Sequence, residues 1–169
     1  MTATGTFRSV LACMLAAIYP AAMAVELTHA TRQLTPEAAL QITQGALAAC
    51  RKDGFQVAVA VVDRSGIVLV LVRDRFAGPH TVEVATNKAW TAASFRISTL
   101  ELARNTRGDL PMSGLRNQPR VAAFGGGLPI EAGGQLLGGI GVSGAPGGEA
   151  DEACARAGIE SIRTDLELQ

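Results

Sequence analysis

His29 and His80 are the only two histidines in a chain of 169 residues. Imidazole is the side chain most suited to ligating a transition metal or moving a proton near neutral pH. His80 stands in Phe76-Ala77-Gly78-Pro79-His80-Thr81, beside an aromatic ring and just before a stretch with helical spacing. Loop-to-helix junctions of this kind are where sites tend to be built. Lys88 follows about two helical turns later, among alanines and threonines. It reads either as a solvated charge or as a cation aimed at a carboxylate. His29 lies close to the N-terminus and reads as a solvated arm residue. Glu149 and Glu152 have the E-x-x-E spacing that offers hard oxygen ligands to iron. The same acids would also be favoured at a helix N-terminus by the macrodipole alone.

Several other chemistries are absent or incomplete. Gly139-Ile140-Gly141-Val142-Ser143-Gly144 matches the dinucleotide fingerprint G-x-G-x-x-G. That motif works only when a helix opens at the glycines and points its N-terminus at a pyrophosphate. Here Ala145-Pro146-Gly147-Gly148 follows and delays any helix. The chain has no GxxxxGK[ST] loop, no HExxH, no CxxC and no G-x-S-x-G elbow. Fifteen basic and fifteen acidic residues give a net charge of zero, which argues against a nucleic-acid partner. Cys50 and Cys154 would pair in an oxidising compartment or stay as buried thiols elsewhere, and the sequence leaves both options open.

The elements that must position these residues follow from pattern. Arg8 is the only charge before Glu26, Val10 to Ala24 is apolar, and Ala22-Met23-Ala24 is an A-x-A cleavage site. The apolar run is short and broken by Pro20, so it does not read as a bilayer span. Residues 1–24 are therefore expected to be a signal peptide containing Cys13. Residues 25–169 then form a single exported domain with no membrane span. Thr35-Pro36-Glu37 opens a helix that runs to Gly54. The β-branched runs 56–63 and 67–74 flank the turn Arg64-Ser65-Gly66 and predict a hairpin. Helices are expected over 81–95 and 98–104, then a polar loop over 105–119. Strands are expected at 120–124, 128–132 and 135–142, and a closing helix over 150–166. Most of the chain's 19 glycines fall in 124–158, interleaved with Leu, Ile and Val. Such a segment is glycine-punctuated strand with close backbone approach rather than linker. Sequence-adjacent strands with helices to cover them predict an α+β layered domain whose five-stranded sheet is mainly antiparallel.

The segments GPHTVEVATNKAWTA, FGGGLPIEAGGQLLGGIGVSGA and DEACARAG resemble the GlcG/HbpS family, over about Leu34 to Leu166. The resemblance implies a profilin-like α-β-α sandwich and assembly into a homo-oligomer. It also implies haem as the cofactor of secreted members, some of which degrade haem or bind iron as redox-stress sensors. Other members are accessory proteins of glycolate metabolism, and a related domain that accompanies cobalamin adenosyltransferases also binds haem. The haem ligand varies across the family, so it is not transferred by motif. Axial ligands come from His, Met, Cys or Tyr, and residues 25–169 contain no Tyr, which leaves His29, His80, Met112, Cys50 and Cys154. The expectation is a periplasmic or secreted haem- or iron-binding protein. His80 would be the ligand, Lys88 and Arg73 would meet the propionates, and Phe76 and Trp90 would pack on the porphyrin. His80, Glu149 and Glu152 are the candidate iron ligands. The competing reading is an accessory enzyme or binding module for a small hydroxy-acid metabolite, with Lys88 and the backbone amides of Gly125, Gly126 and Gly127 holding its carboxylate. A third is an oligomer with a purely structural role.

Overall fold

The computed structural model describes residues 26–168, so the expected signal peptide and its cleavage motif lie outside the described residues. The chain divides between Ala30 and Thr31. Residues 26–30 form no regular element, and every element below belongs to the second unit.

The two β-branched runs form the expected hairpin, β1 (Ala58–Asp63) and β2 (Val68–Arg73). The glycine-rich block supplies β3 (Gly127–Ala132) and β4 (Gln135–Ser143), joined at Gly133-Gly134. The sheet has the order β2-β1-β4-β3, and every neighbouring pair is antiparallel. β1 is central and buried along almost its whole length.

The two faces of the sheet are packed differently. On one face Val57, Val59, Val61, Ile130, Ile140 and Val142 meet α1 (Pro36–Lys52) and α4 (Gly148–Glu160) through Ile42, Ala46, Leu47, Ala155 and Ile159. Full burial of one such Val, Leu or Ile side chain is worth roughly 1.5–3 kcal/mol, so this layer holds most of the core. A Cys50–Cys154 disulfide joins α1 to α4 with its Cα atoms 5.4 Å apart, which settles the pairing left open by the sequence. On the other face Ala58, Ala60 and Val62 meet Ala85, Ala89 and Ala93 of α2 (Thr81–Phe95). Here small residues let the helix backbone lie almost on the strands. A Cβ at Gly141 would run into the carbonyl oxygen of Ala85, and one at Gly139 into that of Ala89. The G-x-G of β4 is therefore the seat of a helix and not a phosphate cradle.

α3 (Thr99–Asn105) follows α2, and a short 3-10 turn (Ser113–Asn117) interrupts the long loop. Two expectations are corrected. The sheet has four strands and not five, because residues 120–124 pair with no strand. Arg120 sits in the left-handed region (φ 70°), and its carbonyl accepts from the Thr91 hydroxyl, which in turn accepts from the Ala122 amide. A side chain of α2 thus takes the hydrogen bonds a strand partner would have used. The closing helix is also broken near Ser161, where α4 gives way to α5 (Arg163–Glu167).

Candidate functional site

His80 is placed by a loop that lacks regular structure but is densely bonded. Asp74 is buried at the end of β2. Its carboxylate accepts from Arg51 Nε (3.0 Å) and from the Val57 amide (3.4 Å), while its own amide donates to the Val57 carbonyl (2.9 Å). Arg73 donates to the Ala77 carbonyl, and both the amide and the hydroxyl of Thr81 donate to the Gly78 carbonyl. The residue before Thr81, His80, is the N-cap of α2, yet its side chain makes no capping hydrogen bond. Its imidazole turns back over Gly78, where a Cβ would lie 2.6 Å from Cε1 and 2.8 Å from Nδ1. The ring is exposed.

Lys88 has a different environment from the one its neighbours in sequence suggest. It is 1 % exposed. Nζ donates to Asp151 Oδ2 (2.7 Å) and to the Val142 carbonyl (2.8 Å), and it lies 4.9 Å from the centre of the Phe124 ring. The second oxygen of Asp151 accepts from the Ala145 amide (2.9 Å). Burial holds the Lys88 ammonium below its ordinary value and the Asp151 carboxyl above its own, each shift being opposed by the attraction between the two. The pair therefore welds α2, the end of β4 and the first turn of α4 together at one point.

Around these groups is an open cleft of about 630 Å³. Its walls are Gly54 to Gln56 after α1, the start of α2, and the loop Gly144 to Gly148 that enters α4. Phe76 and Phe124, exposed at 77 % and 49 %, line it together with His80, and Lys88 and Asp151 also contribute to its lining. A second cleft of similar size, about 640 Å³, lies by the start of α1 and α5, but no His, Cys or Met lines it.

The structure thus brings His80, Phe76 and Lys88 of the expected site residues into one cleft. Gly125, Gly126 and Gly127 are buried beside it rather than displayed in it. Gly126, at φ 117°, packs against Lys88 Nζ and Asp151, and the Gly127 amide donates to the Thr99 hydroxyl (2.8 Å). Arg73 lines an adjoining hollow. Trp90 packs on Gly66 and under the Arg120 guanidinium, 4.7 Å from the ring centre, and does not line the cleft. Glu149 is exposed, whereas Glu152 turns to Arg156 (3.2 Å). Among the described residues no three of His, Cys, Asp and Glu gather as a metal site. Of the sulfur candidates, Cys50 and Cys154 are consumed by the disulfide, and Met112 is exposed outside the cleft. Sequence reasoning missed Asp151 and Asp74. Asp151 shares the spacing of Cys154, Ala155 and Gly158 on the buried face of α4, a pattern that marks it as inward-facing.

The model of the family described as haem-degrading HbpS-like proteins matches residues 34–160. A crystal structure of a double mutant of HbpS from Streptomyces reticuli is 43% identical, with a TM-score of 0.75, and the match covers 86% of this chain and 97% of that one. A crystal structure of PduOC in complex with haem is 32% identical over 77% of this chain and 95% of the other, with a TM-score of 0.73. The corrinoid adenosyltransferase PduO of Citrobacter freundii is 33% identical over 69% of this chain, and the match spans only 37% of that protein's length.

Proposed function

The chain belongs to the HbpS-like family of haem-degrading proteins, and on that premise we propose that it binds haem in the cleft edged by His80 and does so in the periplasm or outside the cell. The single observation that carries the reading is the composition of that cleft. It joins one exposed imidazole to two exposed aromatic rings, Phe76 and Phe124, in a hollow of about 630 Å³. The chemistry of the donor set fits the cofactor: an imidazole ligates haem iron, and aromatic side chains pack on a macrocycle face. Haem, once held there, would supply iron-centred redox chemistry, while the chain's own residues bind and orient it. The similarity to HbpS and to the PduOC–haem complex supports the cofactor. The disulfide supports an oxidising compartment, where such bonds persist, and agrees with cleavage after Ala24.

The hydroxy-acid reading is less well supported. Lys88, its intended carboxylate partner, already holds Asp151, and the Gly127 amide already holds Thr99. Hemin titration of single variants tests the proposal. His80→Ala should weaken hemin binding at least tenfold, about 1.4 kcal/mol, and shift the Soret band, while His29→Ala and Met112→Ala leave both unchanged. An unaltered spectrum and affinity in His80→Ala, with loss in either of the other two, would overturn the assignment of the ligand.

A further inference from the structure

A second hollow shares a wall with the His80 cleft. Arg51, Gln56, Arg73, Asp74, Arg75 and Phe76 line a space of about 450 Å³, and Gln56 and Phe76 belong to both. Its charges are not balanced. Arg51 donates to Asp74 through two nitrogens, so these two cancel. Arg73 and Arg75 are exposed, and among the described residues neither pairs with a carboxylate. Arg73 spends one nitrogen on the Ala77 carbonyl, and Arg75 lies 5.9 Å from the centre of the Phe76 ring. Two uncompensated guanidinium groups therefore flank the exposed aromatic residue that both hollows share.

The sheet register keeps the two hollows at one end of the molecule. Ala58 of β1 faces Arg73 of β2 on one side and Ser143 of β4 on the other. Ser143 lines the His80 cleft. With strands roughly 4.8 Å apart, the backbone positions of Arg73 and Ser143 are about 10 Å apart across the central strand, a separation one flat macrocycle with its side arms can bridge. Lys88 is not available for those arms, because it is committed to Asp151. Guanidinium groups match carboxylates bidentately and remain charged at every working pH.

We infer that Arg73 and Arg75 form an anchoring site for the two propionate carboxylates of the haem bound in the His80 cleft, and so fix which edge of the macrocycle faces β2. The inference rests on the haem reading. Hemin and its dimethyl ester, in which both carboxylates are neutral, are titrated from the same detergent solution into the wild-type protein, Arg75→Gln and Arg73→Gln/Arg75→Gln. The wild type should bind hemin at least tenfold more tightly than the ester. Arg75→Gln, at an exposed position, should lose at least threefold for hemin, and the double variant should fall to the affinity of the ester, with ester binding unchanged throughout. Equal affinity of the wild type for hemin and ester overturns the anchoring site while leaving haem binding intact. So does a double variant that melts like the wild type and keeps its hemin affinity. A wild type that binds neither compound overturns the haem reading and this inference with it.

Discussion

Lys88 and Asp151 show what the residue scale hid. Both were visible as types, Lys88 as a cation of uncertain direction and Asp151 as one acid among three at a helix start. Lys88 falls three residues after Ala85 and one before Ala89, so the buried stripe of α2 includes it. An alanine-rich face was legible from spacing. That a full ammonium belonged in it was not, because its partner lies 63 residues away on another helix. The pair now makes a direct prediction. Lys88→Met leaves the Asp151 carboxylate buried without its cation, and removing one member of a buried pair typically costs about 3–5 kcal/mol. Urea denaturation should show that loss for Lys88→Met and a comparable one for Asp151→Asn. A loss below about 1 kcal/mol for both would mean that the pair does not hold α2 to α4. His80 differs in kind: it is exposed, and its loop is fixed by Asp74, Arg73 and Thr81 rather than by its own side chain. Its replacement should therefore change ligand binding and leave folding intact.

At the scale of elements, α2 and the first hairpin were legible almost to the residue, because alternation and helical spacing are local signals. The fifth strand, expected over 120–124, was misread because Val121 to Phe124 is apolar enough for a strand, while the Arg120 carbonyl and the Ala122 amide bond to Thr91, a distant side chain that leaves no local mark. The glycines of β4 carry an energetic consequence. Gly141→Ala sets a Cβ against the Ala85 carbonyl with backbone on both sides. Overpacking of this kind costs about 3 kcal/mol, so thermal melting should drop sharply or the variant should fail to fold. A melting curve identical to the wild type would show that α2 does not rest on β4 as described. The link between α1 and α4 closes a loop of 104 residues. Its removal in Cys50→Ser/Cys154→Ser should cost about 2–5 kcal/mol of stability, read by denaturant unfolding of the oxidised wild type against the variant. No difference would mean that the bond is not formed in the purified protein.

At the scale of the whole molecule, the edge of the sheet at β2 carries exposed apolar side chains. Ile67, Val68 and Leu71, on and just before β2, are exposed on an edge strand, and such edges are normally covered. A homo-oligomer larger than a dimer is the expected solution state, and light scattering at micromolar concentration checks it; a monomer of the mature mass would refute it. Export is tested by N-terminal sequencing of the protein from its own host, where Val25 should be the first residue and Met1 would contradict the compartment. Both expectations came from the sequence, the first with the family resemblance and the second from Arg8, the apolar run and Ala22-Met23-Ala24. The cleft around His80 required the fold, since only the fold brings Phe124 and the loop before α4 to His80. The most direct test of the account is a visible absorption titration of the purified wild-type protein with hemin. It should give a saturating, shifted Soret band with one haem per chain. A spectrum that stays that of free hemin at every ratio would contradict the account.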